Sequence, residues 1–309
     1  MSEFSHRVGW IGTGRMGFEL ASRLLKAGVD VGVYNRTRSK AEPLAALGAQ
    51  VVDKPIELAD RDIIFTMVAS GKDVMDVTTG PDGVLSDPNR RPKIIVDSTT
   101  IDPPTSVKLR EAAAALGVQM LAAPVSGNPK VVSSGNLTVV TSGPREAHDT
   151  ALPYLDQFGK KVTYVGADEQ ARLVKICHNV MLGVVSQSLA EITVLAEAGG
   201  VERSAFLDFL NDSVMGSVFT RYKSPAIVNL DYTPTFTWPL LRKDLELGLE
   251  AAHDFNVPMP TTALVNQIVI EGIGQGYGDE DFMALLTKTA RGSGMELKPE
   301  NIDYDDGLN

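Results

Sequence analysis

The sequence has one cysteine, few histidines and a deficit of positive charge, and each shortage argues against a class of protein. Cys177 alone cannot form an intrachain disulfide, and one cysteine with four histidines is a poor set of ligands for a metal site. Lysine and arginine number 29 against 39 acidic residues, a net charge of −10. The general basic surface expected of a nucleic-acid-binding protein is therefore missing.

Long apolar runs are also missing. No stretch approaches the ~18 consecutive apolar residues of a transmembrane helix, which predicts that the chain does not span a membrane. Residues 1–7 lead into a strand-like segment without the apolar region of a secretion signal, which favours a cytoplasmic protein. Hydrophobic residues nevertheless make up 43% of the chain, enough for the cores of two domains.

Short apolar segments alternate with helical patterns through about residue 165. Ile63–Val68 and Ile94–Asp97 are almost continuously apolar, which is typical of parallel strands covered on both faces. The other predicted strands are Arg7–Ile11, Val31–Tyr34, Gln119–Leu121, Leu137–Val140 and Val162–Val165, and the predicted helices are Phe18–Ala27, Ser39–Leu47, Pro103–Leu116 and Glu146–Leu155. This alternation predicts a doubly wound α/β domain of Rossmann type over residues 1–166.

The second half of the chain has helical patterns only. A single pattern from Asp168 to Gly199 would form a helix roughly 45 Å long that links two domains. The helical segments that follow it, with no strand between them, are Ser204–Leu210, Leu240–Phe255, Thr261–Gly272 and Asp281–Arg291. The sequence therefore predicts an all-α domain over residues 167–295 and a loose acidic tail over residues 296–309.

A dinucleotide-binding motif follows the first predicted strand. Gly12-Thr13-Gly14-Arg15-Met16-Gly17 has the pattern GxGxxG at a strand-to-helix turn. Its first glycine allows a tight turn, its second lets the backbone approach a pyrophosphate, and its third permits close packing of helix on strand. Because the N-terminus of the helix faces the phosphate charge, the motif predicts binding of NAD or NADP.

The end of the second strand distinguishes the two dinucleotides. A site for NAD usually has Asp or Glu there, which accepts a hydrogen bond from the ribose 2′-hydroxyl. This chain has Asn35-Arg36-Thr37 instead. Arginine can bind a 2′-phosphate with a forked contact, and threonine can add a hydroxyl. We predict NADP as the preferred cofactor, with NAD as a second one; the alternative is a solvent-exposed basic turn that caps the next helix.

Several motifs occur in the order seen in β-hydroxyacid dehydrogenases, and the chain resembles this family over about residues 7–290. The motifs are GWIGTGRMG, IVDSTTIDP, APVSGNPKVVSSGNLT, LVKICHNVML and WPLLRKDLELGLEAA. The family includes 3-hydroxyisobutyrate dehydrogenase, tartronate semialdehyde reductase and glyoxylate/succinic semialdehyde reductase. The resemblance implies a Rossmann-type domain, a long interdomain helix, and an all-α domain that commonly supplies the interface of a homodimer or homotetramer.

The resemblance also implies a site for a small carboxylate substrate. Lys175 matches the family's catalytic lysine, and Asn179 matches its partner at the substrate. These residues are four apart, so they share one face of a helix. Ser126 and Gly127 match the loop that holds the substrate carboxylate. Asn128 departs from the pattern, because the family usually has a second glycine there, and its side chain would narrow the loop or add a hydrogen-bonding group.

Further positions match residues that contact the cofactor in the family. Val68 and Ala69 match backbone positions that border the cofactor, and Thr100 matches a threonine near its nicotinamide end. Lys243 matches a lysine that closes over the cofactor. No metal is implied, because the catalytic lysine supplies the charge and proton that zinc provides elsewhere.

Other prominent side chains are interpreted as structural. His178 should turn away from the catalytic face of its helix, and His148 should lie on a surface helix. Cys177 is interpreted as a buried filler, Asp279–Asp281 as a turn, and Trp238 as a packing residue.

Together these features predict an NADP-dependent oxidoreductase that transfers a hydride between nicotinamide and a short 3-hydroxy acid or its semialdehyde. Lys175 would be the general acid in reduction and the general base in oxidation. An NADPH-dependent imine reductase is one alternative, although the pattern of those enzymes lacks the lysine. A catalytically inactive dinucleotide-binding regulator is another, which loss of Lys175 or Asn179 would have indicated. Neither a nucleic acid nor a membrane is expected as a partner.

Overall fold

The computed structural model describes residues 4–308, and the chain divides into two compact units, Met1–Lys175 and Ile176–Asn309. The boundary falls inside one continuous helix, Gln170–Ala198, whereas the sequence analysis places the domain boundary at residue 166, ahead of this helix. The predicted order of an α/β domain, a long helix and an all-α domain is confirmed.

The first unit is built on a parallel sheet. Its strands are β1 (Val8–Ile11), β2 (Val31–Tyr34), β3 (Gln50–Val51), β4 (Ile63–Thr66), β5 (Ile94–Asp97) and β6 (Gln119–Ala122). β1, β4 and β5 are buried along their whole length, as expected of central strands in an α/β fold. The strand order is β3-β2-β1-β4-β5-β6, which is that of a Rossmann fold. The order reverses between β1 and β4, and ligands of open α/β sheets bind at the carboxyl ends of strands at such a point.

The helices that accompany this sheet are α1 (Arg15–Lys26), α2 (Gly71–Thr78), α3 (Pro103–Ala114), α4 (Pro129–Ser133) and α5 (Arg145–Leu155). The short helices α2 and α4 were not among the predicted elements, and they begin after the polar caps Ser70 and Asn128. The helix predicted over 39–47 is instead a pair of 3₁₀ segments, Arg38–Lys40 and Glu42–Leu47. Pro43 has no backbone N–H to donate to the carbonyl of Ser39, which disfavours one regular helix across this segment.

A smaller sheet follows β6 in the chain. Its strands are β7 (Val125–Ser126), β8 (Leu137–Thr141) and β9 (Gly159–Tyr164). β7 runs antiparallel to β8, and β9 runs parallel to it. Because β7 ends at Ser126, the predicted carboxylate loop leaves this sheet and not the central one.

In the described part of the second unit, which ends at residue 308, the regular secondary structure is helical apart from an isolated β-bridge between Thr237 and Asp281. Its helices are the greater part of α6 (Gln170–Ala198), α7 (Arg203–Asp212), α8 (Val218–Asn229), α9 (Trp238–Asp254), α10 (Pro260–Gly272) and α11 (Leu285–Gly292). Trp238 is fully buried in its core and stacks on Tyr277 with ring centroids 5.4 Å apart, which confirms Trp238 as a packing residue. Within residues 4–308, α6 alone has the length and apolar composition of a membrane span, but half of that stretch is buried inside the protein, as in a core helix.

The segment predicted as a loose tail is held to the second unit. The Glu300 carboxylate accepts a hydrogen bond from the backbone N–H of Arg203, the first residue of α7. Arg203 is itself buried and pairs with Glu197 at 2.6 Å. Asn229 and Ile302 exchange two further hydrogen bonds. An anionic side chain at a helix N-terminus satisfies N–H groups that the helix leaves unpaired, which explains why this polar segment is ordered.

Two of the structural interpretations are wrong about burial. His148 is buried, with its ring 2.9 Å from the hydroxyl of Thr141, and burial lowers its pKa. Cys177 is exposed on α6. The turn predicted at Asp279–Asp281 is confirmed, but Asp281 within it is buried and pairs with the equally buried Lys223 at 2.8 Å. Burial of a polar side chain depends on whether a distant segment of the chain covers it or supplies a partner, which local sequence does not show.

Candidate active site

The glycine motif forms the turn between β1 and α1, and each glycine is required for a different reason. Gly12 has a φ of +99°, and a Cβ there would lie 2.2 Å from the carbonyl oxygen of Met67. A Cβ at Gly17 would lie 2.0 Å from the carbonyl oxygen of Gly12, so only glycine lets α1 approach β1 this closely. A Cβ at Gly14 would meet nothing within 4 Å, which leaves open space for a ligand beside the backbone. These are the roles that binding of a pyrophosphate requires.

The motif opens onto a cavity of about 500 Å³ in the first unit, a size typical of small-molecule sites. The predicted cofactor residues that line it are Gly12, Gly14, Arg15, Met16, Gly17, Asn35, Arg36, Thr37, Val68 and Ala69. Lining residues that the sequence analysis did not identify include Tyr34, Lys40, Asp73, Asp76 and Asp82. The three carboxylates follow no binding motif, and only the position of α2 and the loop after it brings them to this cavity.

Thr13, Thr100 and Lys243 are not among the lining residues. Thr13 is buried within the glycine turn, and its hydroxyl oxygen has no hydrogen-bond partner among the described residues. Thr100 follows the carboxyl end of β5, and Lys243 lies on α9 in the second unit.

Asn35 joins the glycine turn to the loop after β2. Its side-chain oxygen accepts a hydrogen bond from the backbone N–H of Thr13 at 2.9 Å, and its amide nitrogen donates to the carbonyl of Thr37 at 2.9 Å. Both turns are therefore held in one arrangement before any ligand binds. The open space at Gly14, this bridge and the size of the cavity all fit a dinucleotide.

Arg36 extends from the same loop toward α2. Its guanidinium pairs with the carboxylate of Asp73 at 3.0 Å. The arginine side chain is 82% exposed, whereas that of Asp73 is 23% exposed. A cation therefore stands where a dinucleotide site selective for NAD would have an acid.

A buried ion pair connects the end of β5 to the first turn of α6. Arg172 and Asp97 are fully buried and bond directly to each other, and Arg172 also donates to the carbonyl oxygen of Thr99. The hydroxyl of Thr66 donates to Asp97 at 2.6 Å. The hydroxyl of Thr99 in turn accepts from the backbone N–H of Val68 at 3.1 Å. One network therefore ties the loop at Val68 and the β5 terminus to the helix that carries Lys175.

The spacing of α6 places Arg172, Lys175 and Asn179 along one helix face, because residues three and four apart are neighbours on a helix surface. Arg172 and Asn179 are buried and Lys175 is half-buried. Val174 and Cys177, which point elsewhere around the helix, are exposed. The face identified from the sequence is therefore the more buried one at this end of α6.

In the second unit, Asn179 is fixed by a carboxylate that the sequence analysis did not single out. Its amide nitrogen donates to Asp244 Oδ2 at 2.6 Å, and Asp244 is buried on α9. Lys243 approaches the other oxygen of Asp244 at 3.2 Å. His178 Nδ1 lies 2.9 Å from the side-chain oxygen of Asn179, so the prediction that His178 is turned away from this region is wrong. Because both ends of the Asn179 amide have partners, its orientation is defined.

The loop after β7 requires its glycine and uses its asparagine locally. Gly127 has a φ of +141°, and a Cβ there would lie 2.7 Å from Val131 Cγ1. Asn128 caps α4, because its side-chain oxygen accepts from the backbone N–H of Val131 at 3.0 Å. Asparagine in place of the second glycine of the family pattern thus has a structural explanation in the helix that follows.

Comparison with known proteins identifies relatives of both halves of the chain. Residues 7–166 match the family model for the NAD binding domain of 6-phosphogluconate dehydrogenase. Residues 170–288 match the model for NAD-binding of NADP-dependent 3-hydroxyisobutyrate dehydrogenase. The 2-(hydroxymethyl)glutarate dehydrogenase of Eubacterium barkeri is 33% identical over 96% of this chain and 98% of its own. Glyoxylate/succinic semialdehyde reductase 2 of Arabidopsis thaliana is 31% identical over 90% of this chain and 78% of its own.

Solved structures agree with these matches. The structure of the 3-hydroxyisobutyrate dehydrogenase of Mycobacterium tuberculosis with L-serine has a TM-score of 0.80 at 26% identity and covers 92% of this chain and 99% of its own. An imine reductase from Myxococcus stipitatus in complex with NADP⁺ covers 92% of this chain and 99% of its own, with a TM-score of 0.59 at 21% identity, and so shares the fold alone.

Proposed function

We infer the reaction of this chain from the premise that it belongs to the β-hydroxyacid dehydrogenase family, a group of NAD(P)-dependent oxidoreductases that act on CH–OH groups. The proposed reaction interconverts a short 3-hydroxy acid and its semialdehyde, with NADP(H) as the preferred cofactor. One observation supports Lys175 as the general acid and base of this reaction. The helix that carries it, α6, is anchored at the carboxyl end of β5. Arg172, one turn before Lys175, forms that anchor.

The chemistry divides between the cofactor and this chain's side chains. Bound nicotinamide supplies the hydride in reduction and accepts it in oxidation. Lys175 Nζ gives a proton to the substrate's carbonyl oxygen in reduction, and in oxidation it takes the proton of the hydroxyl. Asn179, held by Asp244, is suited to orient the substrate, because its amide is already fixed. A preorganised polar group costs no reorganisation when the substrate reacts.

The names of the relatives support a small acid as the substrate. 2-(Hydroxymethyl)glutarate and L-serine, the small molecules in two of these names, each carry a hydroxymethyl group on the carbon that bears a carboxylate. Such a molecule is a 3-hydroxy acid. The proposed carboxylate donors in this chain are Ser126, the backbone around Gly127 and Asn179, with no arginine among them.

A substrate panel tests the proposal as a whole. The protein is mixed with 3-hydroxyisobutyrate, serine, 2-(hydroxymethyl)glutarate, glyoxylate and succinic semialdehyde, each with both cofactors, and the nicotinamide absorbance is followed. Turnover of at least one acid or semialdehyde is expected. A cyclic imine, and a ketone with an amine, are included as substrates of the alternative reaction. Turnover of these alone would favour an imine reductase, and no turnover with tight cofactor binding would favour a regulator.

We also propose that copies of the chain associate through the second unit into a homodimer or homotetramer. That unit exposes large apolar side chains, including Leu195, Phe209 and Met215, each more than 70% exposed. Such exposure is typical of surfaces that bind another protein.

Replacing Arg36 with aspartate is expected to reverse or flatten the cofactor preference. The change removes the cation that meets the 2′-phosphate and adds a repulsive charge, so kcat/KM with NADPH should fall about tenfold or more while that with NADH changes little. Arg38→Asp is the matched control, because it makes the same charge change two residues away in a side chain that pairs with Asp53 and does not line the cavity. Equal or higher kcat/KM with NADH in the unmodified enzyme contradicts the proposed preference.

Replacing Ser126 with alanine is expected to raise KM for acids about tenfold, since a hydrogen bond to a charged group is lost, and to leave KM for the matching esters and amides nearly unchanged. Ser133→Ala on α4 serves as the control, because that exposed hydroxyl donates only to the carbonyl of Lys130 among the described contacts. Steady-state kinetics with acid and ester pairs measure the difference. If esters and acids turn over equally well and the substitution affects neither, the carboxylate does not bind here.

A further inference from the structure

Three carboxylates line the cavity together with the Arg36 loop. The carboxylates that line it are those of Asp73, Asp76 and Asp82. Asp76 and Asp82 pair with lysines, at 2.7 and 3.0 Å respectively, and neither of these lysines lines the cavity. Asp73 instead pairs with Arg36, which is the side chain proposed to bind the 2′-phosphate. The proposed phosphate ligand is therefore already engaged by an anion.

Asp73 is the fixed member of this pair. It lies in the first turn of α2, and its second carboxylate oxygen accepts a hydrogen bond from the Ser70 hydroxyl at 2.6 Å. The same hydroxyl accepts from the backbone N–H of Asp73. Arg36 has no comparable support, since its side chain is 82% exposed and its described contact is with Asp73 alone. When a ligand enters, the guanidinium moves more easily than the carboxylate.

We propose that Asp73 is a specificity-determining residue that weakens binding of NADP(H) relative to NAD(H) by competing with the 2′-phosphate for Arg36. The inference rests on the proposed role of Arg36. A 2′-phosphate carries close to two negative charges, so it must either draw the guanidinium away from Asp73 or share it at close range with a second anion. NAD(H) has an uncharged hydroxyl at that position. Its binding therefore neither draws the guanidinium away from Asp73 nor brings a second anion close to it.

Under this competition, a loop with a phosphate-binding arginine would accept both cofactors. An exposed ion pair is weak, so Asp73 does not prevent Arg36 from binding a phosphate. Asp73 reduces the additional affinity for NADP(H) that Arg36 provides. The ratio of the two cofactor affinities is then set jointly by the end of β2 and by α2, two segments far apart in the sequence.

Asp73→Asn tests the proposal by binding and not by turnover. Titration calorimetry on the full chain with NADP⁺, NAD⁺, 2′,5′-ADP and 5′-AMP is expected to show about three- to fivefold tighter binding of the two ligands that carry a 2′-phosphate, on the scale of an exposed ion pair. Binding of NAD⁺ and 5′-AMP should change by less than about twofold. Asparagine keeps an oxygen for the Ser70 hydroxyl, and Asp73→Ser provides a second variant with the same expected direction.

Asp60→Asn is the matched control. Asp60 pairs with Arg7 at 3.1 Å in the same unit but does not line the cavity, so the variant makes the same change in net charge away from the ligand. It is expected to leave all four affinities unchanged. If it tightens NADP⁺ as much as Asp73→Asn does, the effect is one of net charge and the proposal is overturned.

The other outcomes separate this inference from the proposed cofactor preference. Weaker NADP⁺ binding in Asp73→Asn would mean that Asp73 positions Arg36 for the phosphate. An equal increase in NAD⁺ affinity would mean that Asp73 acts on the part that the two cofactors share. Either result overturns the proposed competition. In an Arg36→Ala background the Asp73→Asn gain should largely disappear. If Arg36→Ala alone leaves NADP⁺ binding intact, Arg36 does not bind the 2′-phosphate. The proposed preference for NADP(H) is then contradicted independently of Asp73.

Discussion

Replacing Lys175 with alanine is expected to lower kcat by about 10²–10⁴-fold, the usual contribution of a general acid or base. The affinity for NADP⁺ should stay nearly the same, because the lysine acts on the substrate oxygen and the dinucleotide cavity is built from residues 11–82. Lys175→Arg keeps the positive charge, but arginine remains protonated and cannot act as a base. We expect it to be nearly as impaired as the alanine variant in the oxidative direction.

Steady-state kinetics in both directions and calorimetric binding of NADP⁺ measure these effects. Lys108→Ala, which removes an exposed lysine from α3, is the control for loss of one positive charge in the same unit. Activity of Lys175→Ala within a few-fold of the unmodified enzyme would mean that the proton comes from another group. The assignment of α6 as the catalytic helix would then be wrong.

Replacing Arg172 with methionine is expected to destabilise the first unit by about 3–5 kcal/mol, since it leaves the carboxylate of Asp97 buried without a cation. The double variant Arg172→Met/Asp97→Asn should regain a large part of that stability, because no unpaired charge remains. The single variant should also lower kcat more than it weakens NADP⁺ binding, since the anchor lies one turn from Lys175 and outside the cavity.

The two tryptophans allow the first unit to be observed by itself. Trp10 stacks on Phe65 in the first unit, and Trp238 lies in the core of the second. In a Trp238→Phe background, denaturant-induced changes in fluorescence therefore report the unfolding of the unit that contains the ion pair. A single variant that is as stable as its parent, or a double variant that is less stable than the single one, would contradict this account of the buried charges.

The sequence by itself determined the framework of the cofactor site. The apolar strands, the glycines of the motif and the Asn35-Arg36-Thr37 loop predicted a Rossmann-type domain with its cavity at the end of β1, and the structure has it there. These features were readable because they are local. A positive φ at Gly12 and the close approach of Gly17 to Gly12 are requirements of a single turn, and burial of a strand is a property of a few consecutive residues.

Tertiary structure alone decided which charged residues support that site. Arg172 and Asp97 are 75 residues apart, Asn179 and Asp244 are 65 apart, and Arg36 and Asp73 are 37 apart. The same holds for the segment predicted as a loose acidic tail, where Glu300 accepts a hydrogen bond from the backbone N–H of Arg203 at the start of α7. An Asp or Glu is the same residue in the sequence whether its carboxylate is exposed or buried. Burial of the carboxylate is tolerated only where the fold brings a cation or a hydrogen-bond donor to it. That partner comes from elsewhere in the chain, so no local pattern records it.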